Sequence, residues 1–395
     1  MNKQRLIHGY IAMIFFVMFG YGISRQLIGT LITRIILHYD ILMAQAGFLT
    51  SFVNIGNFAA IFILTIFAGR VNKIILLWGT LFLFSASLFL ISTAPEFSVI
   101  LASFALIGVF GATTDALVSS LIADFRPEKA SLNISLLHGV FGLGGLSGPI
   151  VIERLARDLS WDEVHFVISM AFFVYLAVYA IFVKWQWSLL TTQTSPIKQK
   201  QFGLSDIARF FTRKRNVLLY VIMFLYAGNQ TTLSVWVMRY VETHLNDAVW
   251  GAYALSAMWL GTALCRFFIS PNIKASSPIK IGVGNLISAI VLTIGLLSNS
   301  VAGIVAASLL VGLSSGLTIP LVLALGCEWH QDKTAFGTMM PFTAFYFGSV
   351  IFPPLTGSIS DHIGIPWGIA VAVVSSVLVA LFSAVLELRL KSQKT

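Results

Sequence analysis

The sequence predicts an all-α membrane protein: twelve transmembrane helices in two pseudo-symmetric six-helix bundles. Three observations predict it. Hydrophobic residues make up 57% of the 395 and charged residues only 10%, too little charge to cover a soluble surface of this size. Long apolar runs recur along the whole chain, each near the roughly 20 residues a bilayer core requires. One polar stretch, 188–214, interrupts them at the middle.

The runs fall at 6–37, 44–69, 73–93, 97–124, 131–156, 163–187, 215–241, 249–270, 278–298, 300–328, 333–360 and 365–388. They must be helices, because backbone facing lipid has to satisfy its own hydrogen bonds, and they are too long for barrel strands. The predicted domains are a bundle over 1–187, a cytosolic linker over 188–214 and a second bundle over 215–395. Within the linker region, Leu204 to Phe211 has the pattern of a short amphipathic helix on the membrane surface. The halves echo each other at Phe141-Gly142 before Pro149 and at Phe347-Gly348 before Pro353.

Charge sets the expected orientation. Lys3, Arg5, Arg70, Lys73, Arg126, Lys129, a cluster from Lys198 to Arg215, and Arg389 to Lys394 all fall at the termini or in even-numbered loops. The odd-numbered loops hold little besides Arg154, Arg157 and Arg239. Basic loops stay inside, so both termini are expected in the cytosol of a multi-pass cell inner (plasma) membrane protein. The net charge of +9 is therefore a topology signal, and no nucleic-acid partner is expected. Trp161, Trp185, Trp187, Trp250 and Trp367 read as interface anchors. The first apolar run is too long for the core of a cleavable signal peptide. Cys265 and Cys327 lie inside predicted spans and have no metal-ligand spacing, so neither a metal nor another cofactor is expected. No phosphate loop, nucleophile elbow or haem motif occurs, which argues against an enzyme.

Several motifs carry a family resemblance. Gly69-Arg70-Val-Asn-Lys73 resembles, without its usual aspartate, the loop between spans 2 and 3 of the major facilitator superfamily. Pro353-Pro354-Leu-Thr-Gly357-Ser-Ile-Ser-Asp361-His-Ile-Gly364 resembles that family's pattern at the end of span 11. Within the superfamily, three spans are similar to the fucose permease-like group. They are Gly228-Asn-Gln230 to Trp236 and Tyr240 in span 7, Gly108 to Asp115 in span 4, and Gly312 to Pro320 in span 10. Gln230 stands where that group has an acid. The resemblance implies the major facilitator fold and secondary active transport of a small polar solute, a sugar or sugar derivative, by proton-coupled alternating access. The alternatives are an organic-anion transporter or a drug or metabolite efflux antiporter. The expected partners are the solute, protons or sodium, and lipid; a monomer is expected.

Candidate site residues follow from polar groups inside the spans. Asp115 lies about nine residues, ~14 Å, from the end of span 4. A carboxylate at that depth costs energy unless it is paired, hydrated or protonated, which suits a proton-coupling acid. Arg25, midway along span 1 with Tyr21 and Gly29 on its face, is the expected partner of Asp115 or the binder of an anionic solute. Asn229, Gln230 and Trp236 suit a sugar, with amides for hydroxyls and an aromatic face for ring C–H groups. Packing by polar side chains explains Asn and Gln equally well. Asn54 and Asn57 in span 2 are further ligand candidates, expected to share a face only if it is broad. Arg70, Asp124 and Arg126 are candidate gating residues at the cytosolic ends. Arg266, His138 and the Glu328-Trp329-His330 run read as structural.

Overall fold

The computed structural model describes residues 3–67, 72–191, 204–269 and 277–392. The helices are α1 (Lys3–Ser24), α2 (Leu27–Tyr39), α3 (Met43–Phe67), α4 (Lys73–Ser92), α5 (Phe97–Phe125), α6 (Ala130–Leu155), α7 (Trp161–Trp185) and α8 (Trp187–Thr191). They continue with α9 (Leu204–Thr212), α10 (Lys214–His244), α11 (Ala248–Leu264), α12 (Ile279–Leu297), α13 (Val301–Ser315), α14 (Thr318–Trp329), α15 (Thr334–Ile363) and α16 (Ile365–Ser392). Among the described residues, eleven helical stretches are long and apolar enough to cross a membrane, and α3 is a further helix of 25 residues. Among the described residues, each of the twelve predicted spans holds a helix.

Two spans are not continuous. Span 1 breaks at Arg25 and Gln26, between α1 and α2, and span 10 breaks between α13 and α14. Span 8 ends in a π-helical turn, Cys265–Ile269. Local sequence explains several helix starts. The Asn72 side chain accepts from the Ile74 amide at 2.8 Å to begin α4. Ser160 and Glu163 form a reciprocal cap on α7, and Asp247 accepts from the Trp250 amide at 3.1 Å to begin α11.

The chain forms two compact units: Met1–Leu27 with Phe52–Lys200, and Ile28–Ser51 with Gln201–Thr395. In the first unit α1 packs on α6, and α4 on α5 and α7. Glycine permits the closest approach. A Cβ on Gly108 of α5 would strike the carbonyl of Val53, and one on Gly56 of α3 the carbonyl of Ala105. In the second unit α10 packs on α15 and α16, α12 on α13 and α16, and α11 on α13. The same device recurs there: Gly312 of α13 meets the carbonyl of Met258, and Gly261 of α11 that of Leu309. Spans 2 and 4 therefore contact each other as spans 8 and 10 do, a repeat of packing between the halves. With no hydrophobic drive between helices in lipid, such small-residue contacts supply the attraction.

The second unit also contains α2 and the first residues of α3. Gly29 lies on the carbonyl of Ser234, and Gly47 lies on Pro354, where a Cβ would come within 2.5 Å of the proline Cα. Asp361 completes this contact. Its two carboxylate oxygens accept from the Met43 amide at 3.0 Å and the Ala44 amide at 2.9 Å. A carboxylate there satisfies the first free amides of α3 and opposes the positive end of its dipole.

Candidate functional site

In the first unit the polar residues of interest gather where α1, α5 and α6 meet. Asp115 projects from α5 and is 38% exposed, yet its Oδ1 is shielded and accepts no hydrogen bond. Among the described residues, the basic side chain paired with it is His138 of α6, whose Nδ1 lies 4.0 Å from that oxygen. Tyr21 lies over Gly111, one turn before Asp115, where a Cβ would sit 2.8 Å from the tyrosine hydroxyl oxygen. Its ring is held edge-on by Phe84 and tilted against Phe141. Tyr21 is near enough to Arg25 and Asp115 to interact electrostatically with both.

The expected Arg25–Asp115 ion pair is not formed. Among the described residues, the ion pairing of Asp115 is with His138. Residue 25 falls in the turn that breaks span 1. Its amide still bonds the Tyr21 carbonyl at 3.1 Å, so the backbone keeps its register there while the guanidinium stays out of ion-pair range of Asp115. His138, read from sequence as structural, takes the place assigned to Arg25. A lone histidine in an apolar helix was the available signal.

Asn54 and Asn57 are buried and joined to each other: Asn57 Nδ2 donates to Asn54 Oδ1 at 3.2 Å. This corrects the expectation about their face, since residues three apart on a helix are neighbours. Asn57 Oδ1 accepts no hydrogen bond. Of the candidate gating residues, Asp124 pairs with Lys73 of α4 at 2.7 Å, and that lysine is only 4% exposed. Arg126 bonds the ring of His8 in α1. Arg70 lies outside the described residues.

In the second unit the span 7 candidates separate onto different faces. Trp236 is fully buried and donates from Nε1 to the Pro353 carbonyl at 3.2 Å. Asn229 is also buried, donating to Ser376 Oγ at 2.7 Å and Ser288 Oγ at 3.3 Å, and so joins α10 to α16 and α12. Neither side chain faces open space in this structure. Gln230 is partly exposed and accepts from the Tyr226 hydroxyl at 2.9 Å. Ser315, the last residue of α13, also hydrogen-bonds Tyr226, and Arg266 of the π-helical turn is near enough to act on it electrostatically.

Arg266 lies in the π-helical turn that ends span 8, and its neighbour Cys265 packs on Gly316 of span 10. It is exposed, and among the described residues it makes no ion pair with a carboxylate.

The comparisons agree with this architecture. The chain is similar in structure to a bacterial homolog of the human lysosomal transporter Spinster, inward-facing and unoccupied, with a TM-score of 0.75, 15% identity and 97% of each chain covered. It is likewise similar to the peptide transporter POT in complex with sulfate, with a TM-score of 0.75, 14% identity, and 98% of this chain and 97% of that one covered. At such identities the likeness shows the fold. Among curated protein sequences, none matches the chain. The model of the Major Facilitator Superfamily matches residues 14–274, more than half of the chain. Repeated span packing, ionisable groups at mid-span and the matched family model lead to one conclusion: the chain belongs to the Major Facilitator Superfamily and is a multi-pass membrane transport protein, not an enzyme.

Proposed function

We propose that this protein is a proton-coupled secondary transporter of a small polar solute, a sugar or sugar derivative, in a cell inner membrane with both termini cytosolic. The observation that carries the reading is Asp115: a mid-span carboxyl with one oxygen free of hydrogen bonds and only a half-exposed histidine, 4.0 Å away, to balance its charge. An acid held so loosely is placed to take up a proton and release it. When Asp115 is ionised, a protonated His138 holds it; when solute or movement of α1 against α5 weakens that hold, a proton neutralises the carboxyl. Tyr21 and Arg25 set the local potential during this exchange. In alternating access the bundles 1–187 and 215–395 rock against each other, and a neutral site crosses that change more easily than a charged one.

Gln230 is the group proposed to meet solute hydroxyls, because it is the partly exposed member of the span 7 candidates, with the buried Tyr226 hydroxyl holding its side-chain oxygen. A second reading rests on Arg266. An exposed guanidinium in the last turn of span 8, with no carboxylate partner among the described residues, favours a solute bearing an acid group, hence an organic-anion transporter.

Uptake into proteoliposomes tests the first reading. A one-unit pH gradient with one proton per solute sustains about tenfold accumulation. Asp115→Asn is expected to abolish that accumulation while retaining exchange of solute down its own gradient. Undiminished accumulation would remove Asp115 from the mechanism. Loss of binding of acidic solutes but not of neutral sugars in Arg266→Gln would select the second reading.

A further inference from the structure

We infer that a crevice beneath α9 binds the phosphate of an anionic phospholipid headgroup. The argument begins with α9. It is a short amphipathic helix, with Ile207 and Phe210 packed onto Tyr220, Phe336 and Met340. Phe211 beside them is 44% exposed. A helix with this division lies in the plane of the headgroups, its free aromatic turned to the acyl boundary.

Between α9, the start of α10 and the turn after α14 lies a cavity of about 210 Å³. Arg209, Arg213 and Lys333 line it, with Phe210 and Trp329 in its walls. Among its described residues the one acid is Asp206, and Lys333 already holds it at 2.6 Å. Arg209 and Arg213 make no ion pair with a carboxylate among the described residues.

His330 reports the potential of this corner. Its Nδ1 faces the Gly326 carbonyl at 3.0 Å, its Nε2 faces the Asn216 amide at 3.4 Å, and its ring stacks on Phe210. Burial, and with it the charges of Arg215 and Arg213, hold its pKa below the ordinary histidine value. A run of surface arginines is usually only solvated. These two instead border a half-open crevice with aromatic walls, and His330 in its lining registers the charge of Arg213.

The chemistry that fits is a phosphate. Paired guanidinium groups match its oxygens, and basic pockets at the membrane surface are where lipid headgroups bind. Free phosphate shares that chemistry. The apolar walls and the exposed Phe211 favour the lipid, whose glycerol and chain edge would lie against them.

The test uses the purified full-length protein and native mass spectrometry, with phosphatidylglycerol, phosphatidylcholine or inorganic phosphate added. Phosphatidylglycerol is expected to bind at least tenfold more tightly than phosphatidylcholine. At about the contribution expected per arginine near a headgroup layer, Arg209→Gln with Arg213→Gln should weaken it roughly thirtyfold. The charge-conserving pair Arg209→Lys with Arg213→Lys should keep most of the binding, which separates loss of charge from misfolding. The control Arg389→Gln with Lys391→Gln should leave it unchanged. Equal binding of the two lipids, an unaffected Gln pair, or inorganic phosphate displacing the lipid at millimolar concentration would overturn the assignment.

Discussion

Asp115 and Asp361 are both aspartates carried by long apolar helices, and their surroundings are opposite. Asp361 ends α15 with both oxygens occupied by the backbone amides of Met43 and Ala44, at 3.0 and 2.9 Å. Asp115 has an oxygen with no hydrogen bond and a histidine 4.0 Å away. The first carboxylate is a fixed component of a helix-to-helix contact: its charge is matched by a helix dipole that does not titrate. The second has, among the described residues, the His138 ring 4.0 Å away in place of a hydrogen bond to its shielded oxygen. The same residue type thus serves as a fastener at one place and is left loosely held at another. What separates them is whether backbone donors fill the carboxylate.

The fastened end can be broken most severely through its packing. Gly47 lies one turn into α3 against Pro354, and Gly47→Val would force α3 off α15 and pull Met43 and Ala44 from Asp361. A loss of about 2–3 kcal/mol is expected, the range for overpacking a tight contact, measured by denaturant titration in detergent. If Gly47→Val unfolds at the wild-type midpoint, the contact is not tight. The loosely held end is tested next. Replacing His138 with Gln should remove the imidazole beside Asp115, and solute accumulation should then drop by up to about tenfold per unit of pH gradient, while binding persists. Uptake that keeps its wild-type dependence on pH would separate His138 from Asp115.

Smaller effects sharpen the contrast. Asp361→Asn keeps one acceptor oxygen but loses the charge, so a cost of about 1 kcal/mol is expected, with faster amide exchange at Met43 and Ala44. The smallest effect comes from His330, which lies outside the spans. Its folded-state pKa is lowered, first by burial, from the ordinary 6.5. Its neutral form is therefore favoured by folding. The contribution to stability is complete above pH 6.5 and declines as pH falls from there through the lower folded-state value. His330→Gln should flatten thermal stability against pH in that window. A profile unchanged by the substitution would assign the acid sensitivity to another group.

Much of the architecture was legible in the chain. The apolar runs located the spans, and the pattern over Leu204 to Phe211 anticipated α9, which runs Leu204–Thr212. Asp115 stood out because a carboxylate inside an apolar run is rare. Its partner was not legible. Arg25 was the natural choice from its place midway along span 1, but which side chain of a neighbouring helix comes within reach of Asp115 is set by packing, and that side chain is His138. Span 7 teaches the same lesson from the other side. Asn229, Gln230 and Trp236 are close in sequence, yet Ser288, Ser376 and Pro353 claim two of them, and only Gln230 stays partly open.

By itself the sequence determined the class of this protein: an all-helical membrane chain, its spans and its rare ionisable groups. Those properties follow from hydropathy summed over neighbouring residues, since lipid admits few alternatives to an apolar helix. Only the tertiary structure decided which polar side chains are spent on packing, which of two aspartates is fastened, and that His138 stands beside Asp115. Those outcomes depend on how each helix is rotated and where its neighbours pass closely enough to offer a donor or a carbonyl. That information is spread over residues distant in sequence, as the contact of Asp361 with Met43 shows.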